Sequence, residues 1–243
     1  DLTPLAKDLS TAQKPAAIAD IPPARILLVE DNLINQQVAL GLLKKFSQVP
    51  DLAQNGEEAL KALAAKDYDL VLMDCQMPVM DGYQATRAIR DPQSKVRNKA
   101  IPVIALTANA LQGDREKCLS AGMDDHVAKP IDPRLLGETL KKWLGNAPTE
   151  EPRETVDEDQ SGQVFIYQEL VERLLGDEDL VQVILAGCLT YLPKRIAALE
   201  QGLLAGDAIT VRGQAHAIKG AAANISAPCL REVAYQLEKA GEA

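Results

Sequence analysis

Two groups of polar residues in this chain have the types and positions that phosphoryl chemistry requires. The first follows short apolar runs that are typical of buried strands, with Glu30 and Asp31 after the first, Asp74 after the third, Thr107 after the fourth and Lys129 on the fifth. Because parallel strands present their carboxyl ends at one edge of a sheet, we expect these side chains to meet there. Three carboxylates in one place repel one another and imply a compensating cation, for which oxygen-ligated Mg²⁺ is suitable.

The residue types in this first group suggest separate roles. Asp74 is a candidate nucleophile for aspartyl-phosphate chemistry. Lys129 and Thr107 would supply a positive charge and a hydroxyl donor to a phosphoryl group. Acidic residues after strands are also common helix N-caps, so Asp31 has the alternative role of capping the next helix. Spacing alone leaves both interpretations open.

The second group lies in HAIKGAAAN, residues 216–224, which contains one of the two histidines of the chain. On a helical wheel the apolar residues form one stripe, and His216 lies about 140° from its centre, on the face of Lys219, Gly220 and Ala223. This excludes a core histidine but not a plain solvent-facing one. A glycine inside a helix costs about 1 kcal/mol relative to alanine, so Gly220 favours close approach of another protein to the imidazole, which is a nucleophile near pH 7.

Alternating strand and helix patterns must position the first group. Apolar runs too hydrophobic to face water predict a parallel sheet covered on both sides, so we expect an α/β, doubly wound, five-stranded domain over residues 25–145. The strand candidates are RILLVE (25–30), a weaker run at Val49–Ala53, DLVLMD (69–74), IPVIAL (101–106) and DDHVAKP (124–130).

The rest of the chain predicts linkers and an all-α domain. Residues 1–24 are rich in Pro and Ala and are predicted to be a leader or linker. Residues 146–162 contain six acidic residues and predict a disordered linker. Residues 163–243 predict an antiparallel helical bundle. Its helices are expected at 165–175, 177–205, 207–225 and 228–240.

Composition excludes several classes of protein. The net charge of −9 and the single Trp argue against a nucleic-acid partner. The four cysteines are widely spaced, which argues against a zinc site and predicts reduced thiols in the cytoplasm. No apolar run is judged long enough to span a bilayer, so no membrane contact is expected from this segment, although a parent protein can be membrane-anchored.

Four motifs in order resemble the receiver domain of two-component signalling, and more narrowly that of a hybrid sensor histidine kinase. They are VEDNLINQ (29–36), LMDCQMPVMDG (72–82), ALTANA (105–110) and AKP (128–130). The resemblance implies a flavodoxin-like fold with Asp74 as phosphoacceptor. It also implies that Mg²⁺ is held by Glu30, Asp31, Asp74 and the backbone carbonyl of Gln76.

The same resemblance implies that Thr107 and Lys129 contact the phosphoryl group and that the Lys129–Pro130 bond is cis. One position departs from the family, which usually has Tyr or Phe three residues before the lysine. This chain has His126 there, which weakens the expectation of an aromatic switch. From the residue alone, a rim histidine is favoured over a ligand, and Cys75 is interpreted as a small buried filler.

HAIKG matches the HxxKG signature of histidine-containing phosphotransfer (Hpt) domains, a family that the chain resembles from about residue 164 onward. The resemblance implies that His216 is phosphorylated, that Lys219 is its charge partner, and that Gly220 and Ala223 give clearance for a docking receiver. The family normally has one more helix after the stretch that ends at Ala243, so a truncated bundle is expected.

Together these features predict a phosphorelay fragment. An upstream histidine kinase would phosphorylate Asp74, which would pass the phosphoryl group to His216 and then to a separate response regulator. No ATP-binding kinase motif is found, so whether this segment is itself an enzyme stays open. The alternatives are a phosphorylation-independent interaction module and a metal-dependent hydrolase with Asp74 as nucleophile. Transfer within one chain and transfer across a dimer are both compatible with the linker length.

Overall fold

The computed structural model describes residues 21–107, 112–145 and 164–241. The first part of the chain alternates strands and helices, and the last part is helical. The elements are β1 (Ile26–Val29), α1 (Leu33–Lys45), β2 (Asp51–Ala53), α2 (Gly56–Ala65), β3 (Leu70–Asp74), α3 (Gly82–Arg90), β4 (Val103–Thr107), α4 (Gln112–Ser120), β5 (Asp125–Ala128), α5 (Pro133–Leu144), α6 (Tyr167–Arg173), α7 (Glu178–Ala205), α8 (Ala208–Asn224) and α9 (Pro228–Ala240).

The strands form one parallel five-stranded sheet in the order β2-β1-β3-β4-β5. Side chains alternate between its faces as strand geometry requires. Ile26 and Leu28 join one buried apolar cluster, and Leu27 and Val29 join a second cluster on the opposite face. The predicted doubly wound fold is therefore confirmed, and the weak strand candidate occurs as the short β2.

The strand order reverses at β1, so the crevice between the ends of β1 and β3 is the expected ligand site of such a sheet. The register pairs Val29 with Met73. The residues that follow these two positions therefore emerge side by side at the same edge. This register accounts for the convergence predicted for Glu30 and Asp74.

The C-terminal helices pack as a bundle, as predicted, with α8 against both α7 and α9. The predicted helices occur with ends shifted by only a few residues. The apolar stripe of α8 is buried at all its members, which are Val211, Ala215, Ile218, Ala222 and Ile225.

Helix α7 corrects the expectation that no apolar run is long enough for a bilayer. It spans 28 residues. Among the described residues it is the one helix that is long and apolar enough to cross a membrane, judged by length and composition only. In this structure it is a packed bundle helix, because Val181, Ile184 and Cys188 are buried in an apolar cluster.

The two parts of the chain contact each other through α1, which packs against α7 and α8. One buried cluster runs from the sheet through Ile34, Val38 and Leu42 to Val181 and Ile184 of the bundle. The leader up to residue 20, the acidic linker and residues 108–111, which include the last three residues of the ALTANA motif, lie outside the described residues.

Candidate functional site

The structure brings three carboxylates together at the ends of β1 and β3. One ligand oxygen from each of Glu30, Asp31 and Asp74 lies within 4.8 Å of the others. Glu30 and Asp74 are buried, and Asp31 is half-buried. This juxtaposition is the one expected from their positions at strand ends.

Lys129 extends from the end of β5 into this cluster. Its Nζ lies 2.6 Å from Glu30 Oε2 and 2.8 Å from Asp74 Oδ2, and its side chain is only 6% exposed. Burial by itself would lower the pKa of Lys129, but the adjacent Asp74 and Glu30 carboxylates raise it above its usual range. Lys129 is therefore a permanently charged contact of Asp74.

Backbone contacts fix the position of Lys129. Its N–H donates to the Thr107 carbonyl at 2.6 Å, and Thr107 is buried at the end of β4. The Lys129–Pro130 peptide bond is cis, as the family resemblance implies. On the other side of Asp74, the Gln76 N–H donates to Asp74 Oδ1 at 3.3 Å.

The charges of this cluster do not balance, since it holds three carboxylates and, among the described residues, one buried cation, Lys129, which pairs with Glu30 and Asp74. Burial and the nearby Asp74 raise the pKa of Glu30, and the same two causes raise that of Asp31. Burial is the larger cause of both shifts and the negative charge of Asp74 the second, so added positive charge would favour the ionised carboxylates. A hard divalent cation with oxygen ligands fits this donor set.

The alternative role of Asp31 as a helix cap is wrong. Asn32 is the N-cap of α1, where its Oδ1 accepts from the N–H groups of Ile34 and Asn35. An asparagine side chain therefore accepts the hydrogen bonds of the first helical turn. The Asp31 carboxylate is not used as a cap and belongs to the acidic cluster.

His216 lies on α8, where its ring is oriented by Glu238, a residue that no sequence pattern singles out. His216 Nδ1 lies 2.7 Å from Glu238 Oε1 on α9, and Lys219 Nζ donates to the other oxygen of the same carboxylate. Although desolvation opposes it, these two partners lower the pKa of Glu238 to about 2. When Nδ1 carries the proton and donates to Glu238, the Nε2 lone pair is available for attack.

The face of α8 predicted to be clear is covered by the receiver-like part of the same chain. A Cβ at Gly220 would lie 3.2 Å from Asn35 Nδ2. Asn32 Nδ2 donates to the Ala217 carbonyl at 2.8 Å, and Asn224 Nδ2 donates to Asn35 Oδ1 at 2.8 Å. The half-buried Ala223 uses its carbonyl within the bundle, where it accepts from Arg173 at 2.6 Å.

This contact brings the two predicted chemical groups to one interface. Asn35 of α1, which accepts from Asn224 of the bundle, lies beside the carboxylate cluster. Asn35 also donates to Glu30 Oε1 at 2.9 Å. A series of hydrogen bonds therefore runs from α8 of the bundle to the carboxylates at the strand ends.

Two other predicted features lie near this site. His126 is on β5 with a side chain 24% exposed, in agreement with a rim position. Cys75 is buried beside Cys118, with 3.8 Å between the sulfur atoms. Burial and this contact raise the pKa of the Cys75 thiol far above its usual range, so it is a poor nucleophile.

Gly82 provides a stability test of the loop behind Asp74. A Cβ at Gly82 would lie 2.1 Å from the Asp74 carbonyl oxygen, a backbone atom that cannot turn away. We expect Gly82→Ala to destabilise the protein by about 1–3 kcal/mol, measured by urea unfolding. The control is Gly213→Ala, since Gly213 is helical with nothing within 4 Å. That change should stabilise by about 0.5–1 kcal/mol, and equal effects of the two variants would contradict the assignment.

Two family comparisons match the two parts of the chain. Residues 26–141 match the family described as "Response regulator receiver domain". Residues 183–243 match the family described as "Hpt domain". The two matches occur in the order predicted from the motifs.

Curated relatives share both parts. The chain is 32% identical over 245 residues to the sensor protein GacS of Pseudomonas syringae pv. syringae, covering 96% of this chain and 27% of GacS. It is 32% identical over 221 residues to the aerobic respiration control sensor protein ArcB of Escherichia coli K12, covering 90% of this chain and 28% of ArcB. The chain thus spans about a quarter of the length of these relatives.

Two solved structures are each similar to about half of the chain. One is the receiver domain of the sensor histidine kinase PA1611 from Pseudomonas aeruginosa, with magnesium in its active site cleft, at 46% identity and a TM-score of 0.46 over 51% of this chain and all of that one. Another comes from the complex of the Saccharomyces cerevisiae phosphotransfer protein Ypd1 with the receiver domain of Ssk1, at 32% identity and a TM-score of 0.48 over 51% of this chain and 90% of that one.

Proposed function

Because the chain belongs to the response regulator receiver family over residues 26–141 and to the Hpt family over residues 183–243, we propose that it relays a phosphoryl group from Asp74 to His216. Receiver and Hpt domains occur together in its hybrid histidine kinase relatives, and this combination serves phosphorelay signalling. The observation that carries the residue assignment is that the Asp74 cluster and the His216 helix lie at one domain contact.

The first step is acceptance of a phosphoryl group by Asp74. A carboxylate oxygen attacks phosphorus while the bond from phosphorus to the donor, a phosphohistidine nitrogen of an upstream kinase, breaks. Lys129 holds the Asp74 carboxylate and offers positive charge to the incoming oxygens. Thr107, at the adjacent strand end, would donate its hydroxyl to the same group.

We propose Mg²⁺ as the cofactor of this step, held by Glu30, Asp31, Asp74 and the Gln76 carbonyl. When bound, a divalent cation supplies positive charge that offsets the negative charge gathered on the phosphoryl oxygens. The proposal is supported by three converging carboxylates with only one buried cation in contact with them among the described residues.

The second step transfers the group to His216. The Nε2 lone pair attacks phosphorus and the bond from phosphorus to the Asp74 oxygen breaks, which restores the carboxylate. The Nδ1 proton stays between the imidazole and Glu238, so no proton has to leave the site. Lys219 then neutralises charge on the phosphohistidine, as the Hpt resemblance implies. A separate response regulator receiver is the proposed final acceptor.

Receiver and Hpt domains are soluble signalling domains, and we infer that this segment works in the cytoplasm. Its proposed partners are a kinase domain, in the same parent protein or in another one, and the receiver of a regulator. Within the described residues, the apolar helix α7 is a bundle helix that packs on α1 and α8.

The test is peptide mapping by mass after incubation with acetyl phosphate. In the presence of Mg²⁺ we expect a phosphoryl group on Asp74 and then on His216. Asp74→Asn should lose both labels, His216→Gln should keep only the first, and chelation of Mg²⁺ should remove both. A folded protein that acquires no label would contradict the relay and favour the alternative, an interaction module that works without phosphorylation.

A further inference from the structure

The contact between the two domains is built from matched features of this one chain. We propose that the receiver docks on its own Hpt domain, so that transfer between Asp74 and His216 occurs within one chain and this contact must open before a separate receiver can reach His216. The inference rests on the proposed phosphorelay function and concerns the partner in its second step.

Glycines on both sides make the contact close. A Cβ at Gly41 of α1 would lie 2.2 Å from a methyl carbon of Leu180, and a Cβ at Gly187 of α7 would lie 2.7 Å from Gln37 Oε1. None of Gly41, Gly187 and Gly220 has a positive φ, so backbone conformation does not require glycine there. A glycine inside a helix costs about 1 kcal/mol relative to alanine. The close approach of the other domain provides the reason for each.

Polar and charged contacts also cross the interface. Lys45 at the end of α1 forms a partly buried ion pair with Asp177, the N-cap of α7. Asn224 is completely buried and donates to Asn35, which itself donates to the metal-site carboxylate Glu30. Charge, shape and hydrogen bonding therefore fit the receiver of this chain to its own Hpt domain.

The covalent link favours the internal partner over a second copy. Residues 146–163 lie outside the described residues and join the two domains covalently. A short flexible tether creates an effective concentration on the order of 1 mM. At about 10 µM protein, the concentration of a second copy is roughly 100-fold lower than the effective concentration of the internal partner.

The same contact blocks access of a separate receiver to His216. Ala217, Gly220 and Asn224 lie on the same helix as His216, and they contact Asn32 and Asn35 at the start of α1 in the same chain. A separate receiver therefore competes with the internal one for this face. One polar atom at the contact has no hydrogen bond: the buried Gln37 Oε1 has no partner in the described part of the chain. An unpaired buried oxygen lowers the stability of the closed arrangement and favours its opening.

The test compares the intact chain with a mixture of two single variants. The Asp74→Asn chain keeps His216, and the His216→Gln chain keeps Asp74, so label reaches His216 in the mixture only between molecules. With acetyl phosphate and Mg²⁺ at about 10 µM protein, we expect labelling of His216 to be about 100-fold slower in the mixture. In the intact chain its half-time should not depend on protein concentration.

Equal rates in the mixture and in the intact chain would overturn the inference while leaving the phosphorelay function in place. Label on Asp74 without any label on His216 in the intact chain would also overturn it, and would leave only the receiver step. Absence of label on Asp74 would instead contradict the proposed function itself. The three failures are therefore distinguishable.

A charge reversal tests the observed interface. We expect Lys45→Glu to slow internal labelling of His216 several-fold without changing the labelling of Asp74. Adding Asp177→Asn in the same chain should restore most of the rate, because it removes the like charge that faces the new glutamate while the asparagine still caps α7. Lys61→Glu is the control, since Lys61 is an exposed lysine of α2 outside the contact. A loss that the second change does not rescue, or an equal loss with Lys61→Glu, would overturn the assigned docking face.

Discussion

In the Lys129→Met variant, we expect phosphorylation of Asp74 by acetyl phosphate to fall by about 100- to 1,000-fold. Lys129 is the buried cation that contacts Asp74, the proposed phosphoacceptor, and removal of one preorganised charged donor typically has an effect of this size. The measurement is the initial rate of Asp74 labelling at saturating Mg²⁺. Labelling at the wild-type rate would contradict the role of Lys129.

The same substitution should also destabilise the metal-free protein. It leaves the buried Glu30 and Asp74 carboxylates without their common partner, which typically costs about 3–5 kcal/mol. Urea unfolding with a chelator present measures this loss. Lys142→Met is the matched control, because Lys142 pairs with Asp125 at the surface of the same domain and should contribute less than about 1 kcal/mol. Lys129→Arg keeps the positive charge, so a variant that stays folded but labels Asp74 slowly would separate the effect on the reaction from the effect on stability.

The Glu238→Gln variant should keep Asp74 labelling and lose most labelling of His216. Glu238 accepts from both His216 and Lys219, so the change removes the carboxylate that orients the ring and holds the lysine. A residue that orients a reactive imidazole contributes about 10- to 100-fold or more. The control is Glu232→Gln, an exposed position on the same helix that hydrogen-bonds Gln236. A similar loss in both variants would show that α9 is merely sensitive to lost charge.

Stability against pH gives an independent test of Glu238. Its pKa is lowered from 4.5 to about 2 by its two partners. A lowered carboxyl pKa means that the stabilisation is fully present above about pH 5 and is lost as the pH falls from about 4.5 toward 2. We expect wild type to exceed Glu238→Gln in unfolding free energy by about 2–3 kcal/mol at pH 7. The difference should shrink below pH 4.5, and a constant difference down to pH 3 would contradict the assignment.

The sequence predicts the strand-end site well because each residue follows an apolar run. Parallel strands share their carboxyl ends, so Glu30, Asp74 and Lys129 converge once the fold class is correct. In the same way, a stripe at helical spacing predicts which face of α8 is buried. These features depend on local pattern and on one general rule of sheet topology.

Residues whose role depends on a different element are not predictable from such patterns. Glu238 is 22 residues beyond His216, and only the packing of α9 on α8 brings the two together. Gly41 has its reason in Leu180, a residue of the other domain. The N-cap of α1 could have been suspected from the sequence, since Asn32 and Asp31 are adjacent candidates of equal propensity.

Helix α1 has apolar contacts toward both the sheet and the bundle, and this affects how the chain unfolds. Most modular proteins melt one domain at a time, since few contacts cross between their modules. Here a single buried cluster runs through α1 into α7, so unfolding of either module exposes apolar surface of the other to water. We therefore expect the closed chain to denature in one cooperative transition, whose steepness in denaturant reflects the surface of both modules together.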